Sequence, residues 1–387
     1  MHHYKPMTGS IAAQKTMDKK RILLTGGGTA GHVTPNLALL PRLRELGYAI
    51  SYIGTRQGIE HELIPGENIP YYTVPAGKLR RYFDLRNITD IIRIKIGFLK
   101  SLVLIAKIKP DVLFSKGGFV SCPVVWASWV LRVPVVIHES DISPGLANRL
   151  SLPFAAKICC SFPETLQHLP QRKAVLTGIP VRGSLLGGDP EKGRVLCGFN
   201  DRKPVIMVIG GSQGAQAINA CVREALDKLL PEFNICHICG KGNLAEDRRL
   251  SVPATGGPKR LSGRYAQFEY VNKELADLFA LAGAVISRSG ATTLFELLAL
   301  KKPALLIPLP LGASRGDQIL NGASFEKQGW SRVLPQEQMT PESLAENIRA
   351  VFAHRTEMVA AMEKTAPANG TEKTIEVIEE IVSKKKH

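Results

Sequence analysis

Two glycine clusters constrain the fold more than any other feature of the sequence, because each follows a short apolar run and precedes a helix-like segment. The run RILLT leads into Gly26-Gly27-Gly28, and the run PVIMVI leads into Gly210-Gly211. A buried strand that enters a helix through a glycine-rich turn is the opening unit of a doubly wound parallel sheet. The chain opens such a sheet twice, which predicts two Rossmann-like α/β domains facing a cleft.

Short β-rich runs alternate with segments of helical period through both halves, which is typical of parallel sheets covered by helices. The predicted strands are residues 21–25, 49–53, 111–115, 133–138, 157–160, 174–177, 204–209, 233–239, 268–271, 284–287 and 304–307. The first helix of each half is predicted at residues 35–46 and 215–230.

A glycine- and proline-rich segment at residues 178–190 predicts the domain boundary. We therefore expect an N-terminal domain at 20–180 and a C-terminal domain at 181–369. The helical stretch 370–384 is expected to pack back on the first domain. Residues 1–19 contain only a three-residue apolar run and are predicted to be a disordered leader, with Met17 a candidate start.

The formal net charge of +16 calls for a polyanionic partner. Much of this charge lies between Lys78 and Lys116, where basic residues alternate with isoleucine, leucine and valine. Such a segment is typical of a helix in a bilayer interface, or of a helix packed on a sheet with a solvated basic rim. The chain contains no recognisable nucleic-acid motif, so nucleic acid is not an expected partner.

The seven cysteines are scattered along the chain, which favours a reducing compartment. Cys236 and Cys239 form the only C-x-x-C pair, and no second ligand pair stands at zinc spacing. No metal site is therefore predicted.

In the first half, Gly26, Gly28 and Gly31 satisfy G-x-G-x-x-G at a strand end. Ligands of open parallel sheets bind at such ends. A dinucleotide site would need an acidic residue after the second strand, yet the sequence there is Gly54-Thr55-Arg56. NAD is therefore not expected, whereas Arg56 keeps an NADP-dependent oxidoreductase as an alternative.

Polar residues follow three predicted strands of the first half, at residues 25–32, 115–121 and 138–141, and these three clusters should converge on one edge of the sheet. They make His32, Glu139 and Asp141 the candidate catalytic residues for acceptor binding and proton transfer. His32 is the preferred base because an ordinary histidine has a pKa of about 6.5. Glu139 and Asp141 remain competitors.

In the second half, the turn at residues 210–215, with Ser212 and Gln213, is a candidate diphosphate cradle or a turn that only packs helix on sheet. Glu296 lies in an almost wholly apolar helix, where a carboxylate is costly unless it is paired. A vicinal diol would satisfy it, and so would Arg288 or Lys301. The segment 315–321, with Gln318, offers polar groups for a sugar.

Assembled in order, these motifs resemble the MurG family of peptidoglycan N-acetylglucosaminyltransferases. The matching stretches are GGGTAGHVTPNLAL, KGGFVSCPVV, PVVIHESDISPGLANR, TGIPVR, GGSQGAQAIN, SRSGATTLFELLAL and DQILNGA, which span residues 26–323.

The resemblance implies an inverting GT-B glycosyltransferase that uses UDP-N-acetylglucosamine as donor and the undecaprenyl-diphosphate-linked muramyl-pentapeptide, lipid I, as acceptor, and makes lipid II. No cofactor or metal is implied, and the chain has no Asp-x-Asp. Carried over by motif, the implied substrate-binding residues are Thr29, Ala30 and Gly31 on the acceptor side, Arg182 and Ser212 for the diphosphate, Val271 for uracil, Ala291, Thr292, Thr293, Leu294, Phe295 and Glu296 around nucleotide and sugar, and Gln318 for N-acetylglucosamine.

The same resemblance implies that domain 20–180 binds the acceptor and faces the membrane, and that domain 181–369 binds UDP-N-acetylglucosamine. The basic, apolar stretch from Lys78 onward would then face an anionic membrane surface. The expected location is therefore peripheral, on the cytoplasmic face of the bacterial inner membrane, with other cell-wall enzymes as further candidate partners.

Two features depart from familiar forms of this family. Asp141 stands where HEQN has asparagine, and an additional carboxylate near a diphosphate is unfavourable unless it is neutralised or takes part in proton transfer. Residues 312–316 also differ, which weakens the assignment of sugar contacts there. A UDP-N-acetylglucosamine epimerase on the same fold remains an alternative.

Overall fold

A computed structural model describes residues 19–77, 86–211, 214–245, 259–261, 263–312, 315–365 and 369–385. The strands of the first half are β1 (Arg21–Thr25), β2 (Ala49–Gly54), β3 (Tyr71–Thr73), β4 (Val112–Ser115), β5 (Val135–Glu139), β6 (Lys157–Cys160) and β7 (Ala174–Leu176). Those of the second half are β8 (Val205–Ile209), β9 (Asn234–Ile238), β10 (Lys259–Leu261), β11 (Tyr265–Phe268), β12 (Ala284–Ser287), β13 (Ala304–Leu306) and β14 (Ser331–Val333).

The helices of the first half are α1 (Ala30–Glu45), α2 (Glu60–Leu63), α3 (Arg86–Ile108), α4 (Ser121–Val130) and α5 (Leu146–Ser151). The remaining helices are α6 (Pro190–Cys197), α7 (Gln216–Glu224), α8 (Leu226–Leu229), α9 (Leu275–Leu281), α10 (Ala291–Ala299), α11 (Asp317–Lys327), α12 (Pro341–Ala353), α13 (Arg355–Glu363) and α14 (Thr371–Lys385).

Each half forms a sheet with the doubly wound strand order. The first sheet runs β3-β2-β1-β4-β5-β6-β7 and is parallel throughout. The second runs β10-β11-β9-β8-β12-β13-β14, with only the β10–β11 pair antiparallel. The predicted fold class of two Rossmann-like parallel-sheet domains is therefore confirmed. The winding direction reverses between β1 and β4 in the first sheet and between β8 and β12 in the second. Open parallel sheets bind their ligands at this point of reversal.

The central strands are apolar because both of their faces are covered. All four residues of β4 and of β12 are buried, and so are the last four residues of β1. Parallel strands buried on both faces read as continuous apolar runs rather than as alternating ones. This burial explains why these strands were recognisable in the sequence.

Two neighbouring segments connect the halves. Gly370 N donates to Ile179 O at 2.9 Å, and Val181 N donates to the Asn369 side chain at 3.1 Å. After Gly370 the chain returns to the first domain, where α14 packs its apolar face into the core of the first sheet, against α1, β4 and β6.

Several predicted boundaries are wrong. Helix α1 begins at Ala30, five residues before the predicted start, because the proline at position 35 is tolerated within it. Strand β11 ends at Phe268, where the predicted range 268–271 begins, and α7 and α8 divide the helix predicted at 215–230. Strands β3, β10 and β14 were not predicted, since their sequences YYT, KRL and SRV contain no continuous aliphatic run, unlike the equally short β7 and β13, AVL and ALL. The predicted leader lies almost entirely outside the described residues.

No helix among the described residues is both long and apolar enough to cross a membrane. All seven cysteines are free and buried.

Candidate active site

His32 lies in the first turn of α1, directly beyond the glycine turn that leaves β1. Its Nδ1 is 3.1 Å from Gly27 O and 3.0 Å from Thr29 Oγ1. A carbonyl oxygen only accepts, so the short contact with Gly27 O places the imidazole proton on Nδ1. This leaves the lone pair on Nε2, the nitrogen that a general base would use.

The environment of His32 disfavours its charged form. Burial, with the positive charges of Lys116 and Arg315, lowers the pKa of His32 to about 4, although the bond with Gly27 acts in the opposite direction. The expectation of an ordinary histidine pKa was therefore wrong for this environment. The imidazole is neutral at physiological pH.

Lys116, which sequence reasoning did not single out, is a fully buried cation at the end of β4. It is 1 % exposed, and its Nζ donates to Ser140 Oγ. Burial lowers the pKa of Lys116 to about 8, while the carboxylates of Glu139 and Asp141 act to raise it. It remains mostly cationic near neutrality, beneath the loop that follows β5. Its position within the strand-end motif KGG was the only sequence signal.

Glu139, a candidate base, has both carboxylate oxygens occupied. Oε1 accepts from Ser140 N at 2.9 Å and from Asp141 N at 3.1 Å, and Oε2 accepts from Gly145 N at 3.1 Å and from the Asn148 side chain at 2.8 Å. Burial and the neighbouring Asp141 raise its pKa. The geometry favours a role in shaping the 140–145 loop over proton transfer.

Asp141 extends from this loop to the second domain. Its Oδ1 accepts from Asn321 Nδ2 at 2.9 Å, and Arg315 Nη2 lies 4.0 Å from its Oδ2. Burial raises the pKa of Asp141, which Asn321, Lys116 and Arg315 counteract. Asp317 adds to the rise, so a donor and cations from both domains offset only part of the cost of burying this additional carboxylate. Nearby, Ser143 Oγ donates to Asp317 at 2.7 Å, which adds a second contact between the domains.

Thr29, Ala30 and Gly31 form the beginning of α1 and face the second domain. Thr29 is exposed and makes no side-chain cap bond to the helix. Thr292 Oγ1, in the first turn of α10, donates to Gly31 O at 3.4 Å. The two helix starts that follow the strand ends of the two sheets therefore meet at one place.

The predicted residues of α10 divide into two groups. Ala291, Leu294 and Phe295 are buried in the second domain's core, so their side chains belong to the packing. Thr292 and Thr293 are half-buried in the first turn, and Thr292 faces the start of α1. Any contact of Leu294 or Phe295 with a nucleotide would have to use the backbone.

Glu296 is paired with Arg182. Arg182 Nη2 lies 3.1 Å from Glu296 Oε1, and their side chains are 28 % and 11 % exposed. Burial raises the pKa of Glu296, and Arg182 acts against this. The suggested partners Arg288 and Lys301 were wrong, because Arg288 bonds to the Ile307 carbonyl and the Gln336 side chain, and Lys301 pairs with Glu363.

The other candidate residues are less defined. Ser212 and Gln213 lie outside the described residues, between Gly211 and Gly214, which both have positive φ. Val271 is buried beyond the end of β11. Gln318 lies in the first turn of α11 and its Oε1 accepts from Leu309 N at 3.1 Å.

Helix α3 has a contiguous exposed apolar face. Ile92, Ile96, Leu99 and Val103 are 54, 51, 61 and 69 % exposed. Arg93, Lys95, Lys100 and Lys107 are exposed on the same helix. Basic residues 78–81 of the predicted membrane-facing stretch lie outside the described residues. In the described part of the chain, no cluster of three or more His, Cys, Asp or Glu side chains is arranged to hold a metal ion.

Two doubly wound domains, with helix starts at the carboxyl ends of their central strands facing each other across a shared cleft, are the architecture of GT-B glycosyltransferases. Residues 22–160 match the glycosyltransferase family 28 N-terminal domain, and residues 205–380 match the glycosyltransferase family 28 C-terminal domain. The chain belongs to glycosyltransferase family 28.

More specific similarities exist within this family. A relative from Clostridium kluyveri, 51% identical over 93% of this chain and 99% of its own length, is named UDP-N-acetylglucosamine--N-acetylmuramyl-(pentapeptide) pyrophosphoryl-undecaprenol N-acetylglucosamine transferase. The crystal structure of MurG from Acinetobacter baumannii is similar, with a TM-score of 0.70 and 26% identity over 93% of this chain and 99% of that one. A UDP-N-acetylglucosamine 2-epimerase, with a TM-score of 0.58 and 11% identity over 92% of this chain and 95% of that one, shares the fold alone.

Proposed function

We propose that this protein transfers N-acetylglucosamine from UDP-N-acetylglucosamine to lipid I and so makes lipid II. The observation that carries the proposal is the meeting of the two helix starts, where Thr292 contacts Gly31, in a chain 51% identical to a relative named for this reaction. In one in-line displacement, an acceptor hydroxyl bonds to the anomeric carbon as the bond from that carbon to the diphosphate breaks. The stereochemistry inverts, UDP leaves, and the hydroxyl proton passes to a base.

The second domain is the proposed donor site. Arg182 would meet the diphosphate together with Ser212 and Gln213. The Arg182 Nε is buried and has no hydrogen-bond partner among the described residues, which supports a role toward a ligand. Glu296, whose Oε1 faces Arg182, would accept from the ribose hydroxyls.

The remaining donor contacts follow the family pattern. Val271 would lie against uracil, Thr292 and Thr293 beside the nucleotide, and Gln318 beside the acetamido sugar. No cofactor or metal is part of the proposal, since helix N-terminal amides and Arg182 would offset the charge of the departing UDP.

His32 is the proposed base and Asp141 is the first alternative. Glu139 is the weaker alternative, because donors occupy both of its carboxylate oxygens. A pKa of about 4 is low for a base in the free protein. The donor and acceptor each bring a diphosphate, and their negative charge would offset Lys116 and Arg315. Because neighbouring anions favour the imidazolium, substrate binding would raise the pKa of His32 toward the useful range.

The acceptor side is the first domain, with Thr29, Ala30 and Gly31 at the cleft. Lipid I is held in a membrane, and the exposed apolar face of α3 with its lysines fits an anionic inner-leaflet surface. We propose peripheral attachment at the cytoplasmic face of the inner membrane, where other cell-wall enzymes are candidate partners. Leu99→Asp should reduce sedimentation with anionic vesicles while transfer to a soluble acceptor is retained. Val195→Asp, on exposed α6 of the other domain, is the control.

The decisive assay is transfer of radiolabelled N-acetylglucosamine to a soluble short-chain lipid I analogue by the wild type, His32→Ala and Glu296→Ala. We expect acceptor-dependent product that both variants lose, His32→Ala through kcat and Glu296→Ala mainly through the KM for the donor. Conversion of the nucleotide sugar without any acceptor would instead indicate the epimerase. Unimpaired transfer by His32→Ala would refute the assignment of the base.

A further inference from the structure

Glu60, the first residue of α2, is a buried carboxylate that the proposed function does not use. It is 0 % exposed. Its Oε2 accepts from Gly28 N at 3.0 Å, and its Oε1 accepts from Thr55 N at 3.1 Å and Thr55 Oγ1 at 2.7 Å. A buried carboxylate is costly without such donors. The ionised form of Glu60 is therefore stabilised in part by the glycine turn, through the hydrogen bond from Gly28 N.

Three glycines leave room for this carboxylate. A Cβ on Gly27 would lie 2.5 Å from the Glu60 carboxyl carbon, and one on Gly58 would lie 2.1 Å from its Oε2. A Cβ on Gly54 would lie 2.7 Å from Glu60 Cγ. The local backbone is shaped around one acidic side chain, so Glu60 is fixed in position relative to the glycine turn.

The Gly28 N–H that Glu60 accepts belongs to the same peptide unit as Gly27 O. That carbonyl oxygen lies 3.1 Å from His32 Nδ1. The carboxylate, the peptide and the imidazole therefore form one hydrogen-bonded chain. Hydrogen bonds in such a chain polarise one another, so a carboxylate at the N–H end strengthens the carbonyl as an acceptor.

We propose that Glu60 is a positioning residue for His32. Acting through the Gly27–Gly28 peptide, Glu60 fixes the imidazole as the Nδ1–H tautomer and so leaves Nε2 unprotonated. Its catalytic value rests on the proposed function, in which Nε2 takes the acceptor proton. Thr29 Oγ1, also near Nδ1, cannot fix the tautomer, because a hydroxyl either donates or accepts. Only the carbonyl imposes a donor on Nδ1.

The test is Glu60→Gln. Its amide oxygen can keep the Thr55 bonds, while its NH₂ would face Gly28 N–H, donor against donor. The matched control is Glu62→Gln, an exposed residue on the same short helix. Long-range ¹H–¹⁵N correlation spectra of ¹⁵N-histidine protein report the tautomer of each ring, and His32→Gln identifies the His32 signals.

We expect a single Nδ1–H tautomer for His32 in the wild type and Glu62→Gln, and a mixture of tautomers in Glu60→Gln. Transfer by Glu60→Gln should fall about 10- to 100-fold in kcat, with an unchanged KM for UDP-N-acetylglucosamine. A pure Nδ1–H tautomer in Glu60→Gln would overturn the proposal.

Should Glu60→Gln fail to fold, as judged by circular dichroism, Glu60→Asp retains the charge with a shorter reach. It should give a smaller admixture of the other tautomer, and an unmixed spectrum would count against the proposal. The spectra require no turnover, so they test the positioning role even if the transferase activity is absent. A changed tautomer with unchanged transfer would instead refute His32 as the base.

Discussion

Arg182→Met removes the cation from the ion pair with Glu296 and retains most of the side-chain volume. The Nη2–Oε1 distance is 3.1 Å, and the Glu296 side chain is only 11 % exposed. Removing one partner of a buried pair costs about 3–5 kcal/mol, because the other charge stays buried without compensation. Arg182 is 28 % exposed, so water reaches its end of the pair and the lower limit applies. We expect a loss of about 3 kcal/mol in the free energy of unfolding.

This loss should depend on pH with a definite sign. Burial raises the pKa of Glu296 above its ordinary value of 4.5 in the folded protein, and Arg182 opposes the rise. A carboxyl group with a raised folded pKa binds its proton more tightly when folded, so its contribution to stability falls as pH rises from the unfolded pKa through the folded one. Without Arg182 the folded pKa rises further. The variant should therefore be more destabilised at pH 8 than at pH 5.

Thermal unfolding of the full chain without nucleotide, followed by calorimetry, measures this effect. For a domain of this size, about 3 kcal/mol corresponds to a decrease in Tm of roughly 6–12 °C. The control is Lys301→Met, which breaks the Lys301–Glu363 pair at 2.6 Å, where both side chains are 52 % exposed. Exposed pairs contribute about 0–1 kcal/mol. Equal decreases in Tm for both variants, or a decrease for Arg182→Met that is the same at pH 5 and pH 8, would refute the reasoning.

Three further predictions concern residues near the domain contact. Lys116→Met removes a positive charge that lowers the pKa of His32. The acidic limb of the kcat/KM profile should therefore move to higher pH than in the wild type, whereas Lys116→Arg, which keeps the charge, should leave the limb in place. Phe162→Ala removes a ring that is 2 % exposed and lies 5.3 Å from Phe295 across the domains, and calorimetry should show a loss of about 3–5 kcal/mol. Asp141→Asn keeps an oxygen that can accept from the Asn321 amide but removes a negative charge that raises the pKa of Lys116. A ¹³C titration of Lys116 should therefore give a midpoint below about 8. An unmoved midpoint would contradict the electrostatic coupling between the two residues.

The sequence predicted the sheets better than the short elements. Strands such as β4 and β12 are buried on both faces, and a continuous apolar run between turn signals identifies them. β14 has the sequence SRV, whose serine and exposed arginine leave no apolar run, whereas the equally short β13 has the sequence ALL and is buried throughout. The early start of α1 was missed because a glycine-rich run disfavours a helix locally, whereas packing on the sheet stabilises the helix from Ala30 onward.

The site shows the same limit. Strand-end motifs identified His32 and Asp141 as residues of one edge, because the carboxyl ends of parallel strands share an edge. Glu296 pairs with Arg182, which lies 114 residues earlier, directly after the segment that connects the two domains. The path of that connecting segment decides the pairing, and no local sequence pattern encodes it. Glu60 gave no signal at all, since its role depends on the orientation of one peptide bond. Sequence reasoning therefore identified the proposed catalytic and donor-binding groups, but not the neighbouring groups that pair with them or are proposed to orient them.

Asp141 connects these observations. It follows a strand of the first domain, and its carboxylate accepts from Asn321 of the second domain with Arg315 nearby. Burial alone would favour the protonated acid, but the Asn321 amide and the cations Lys116 and Arg315 act to keep it ionised. Lys116 and Arg315 are also the charges that lower the pKa of His32. Since Arg315 and Asn321 belong to the second domain, the electrostatic environment of His32 depends on the two domains being in contact. A rotation that opened the cleft would remove Arg315 from this environment and so raise the pKa of His32 before any substrate entered.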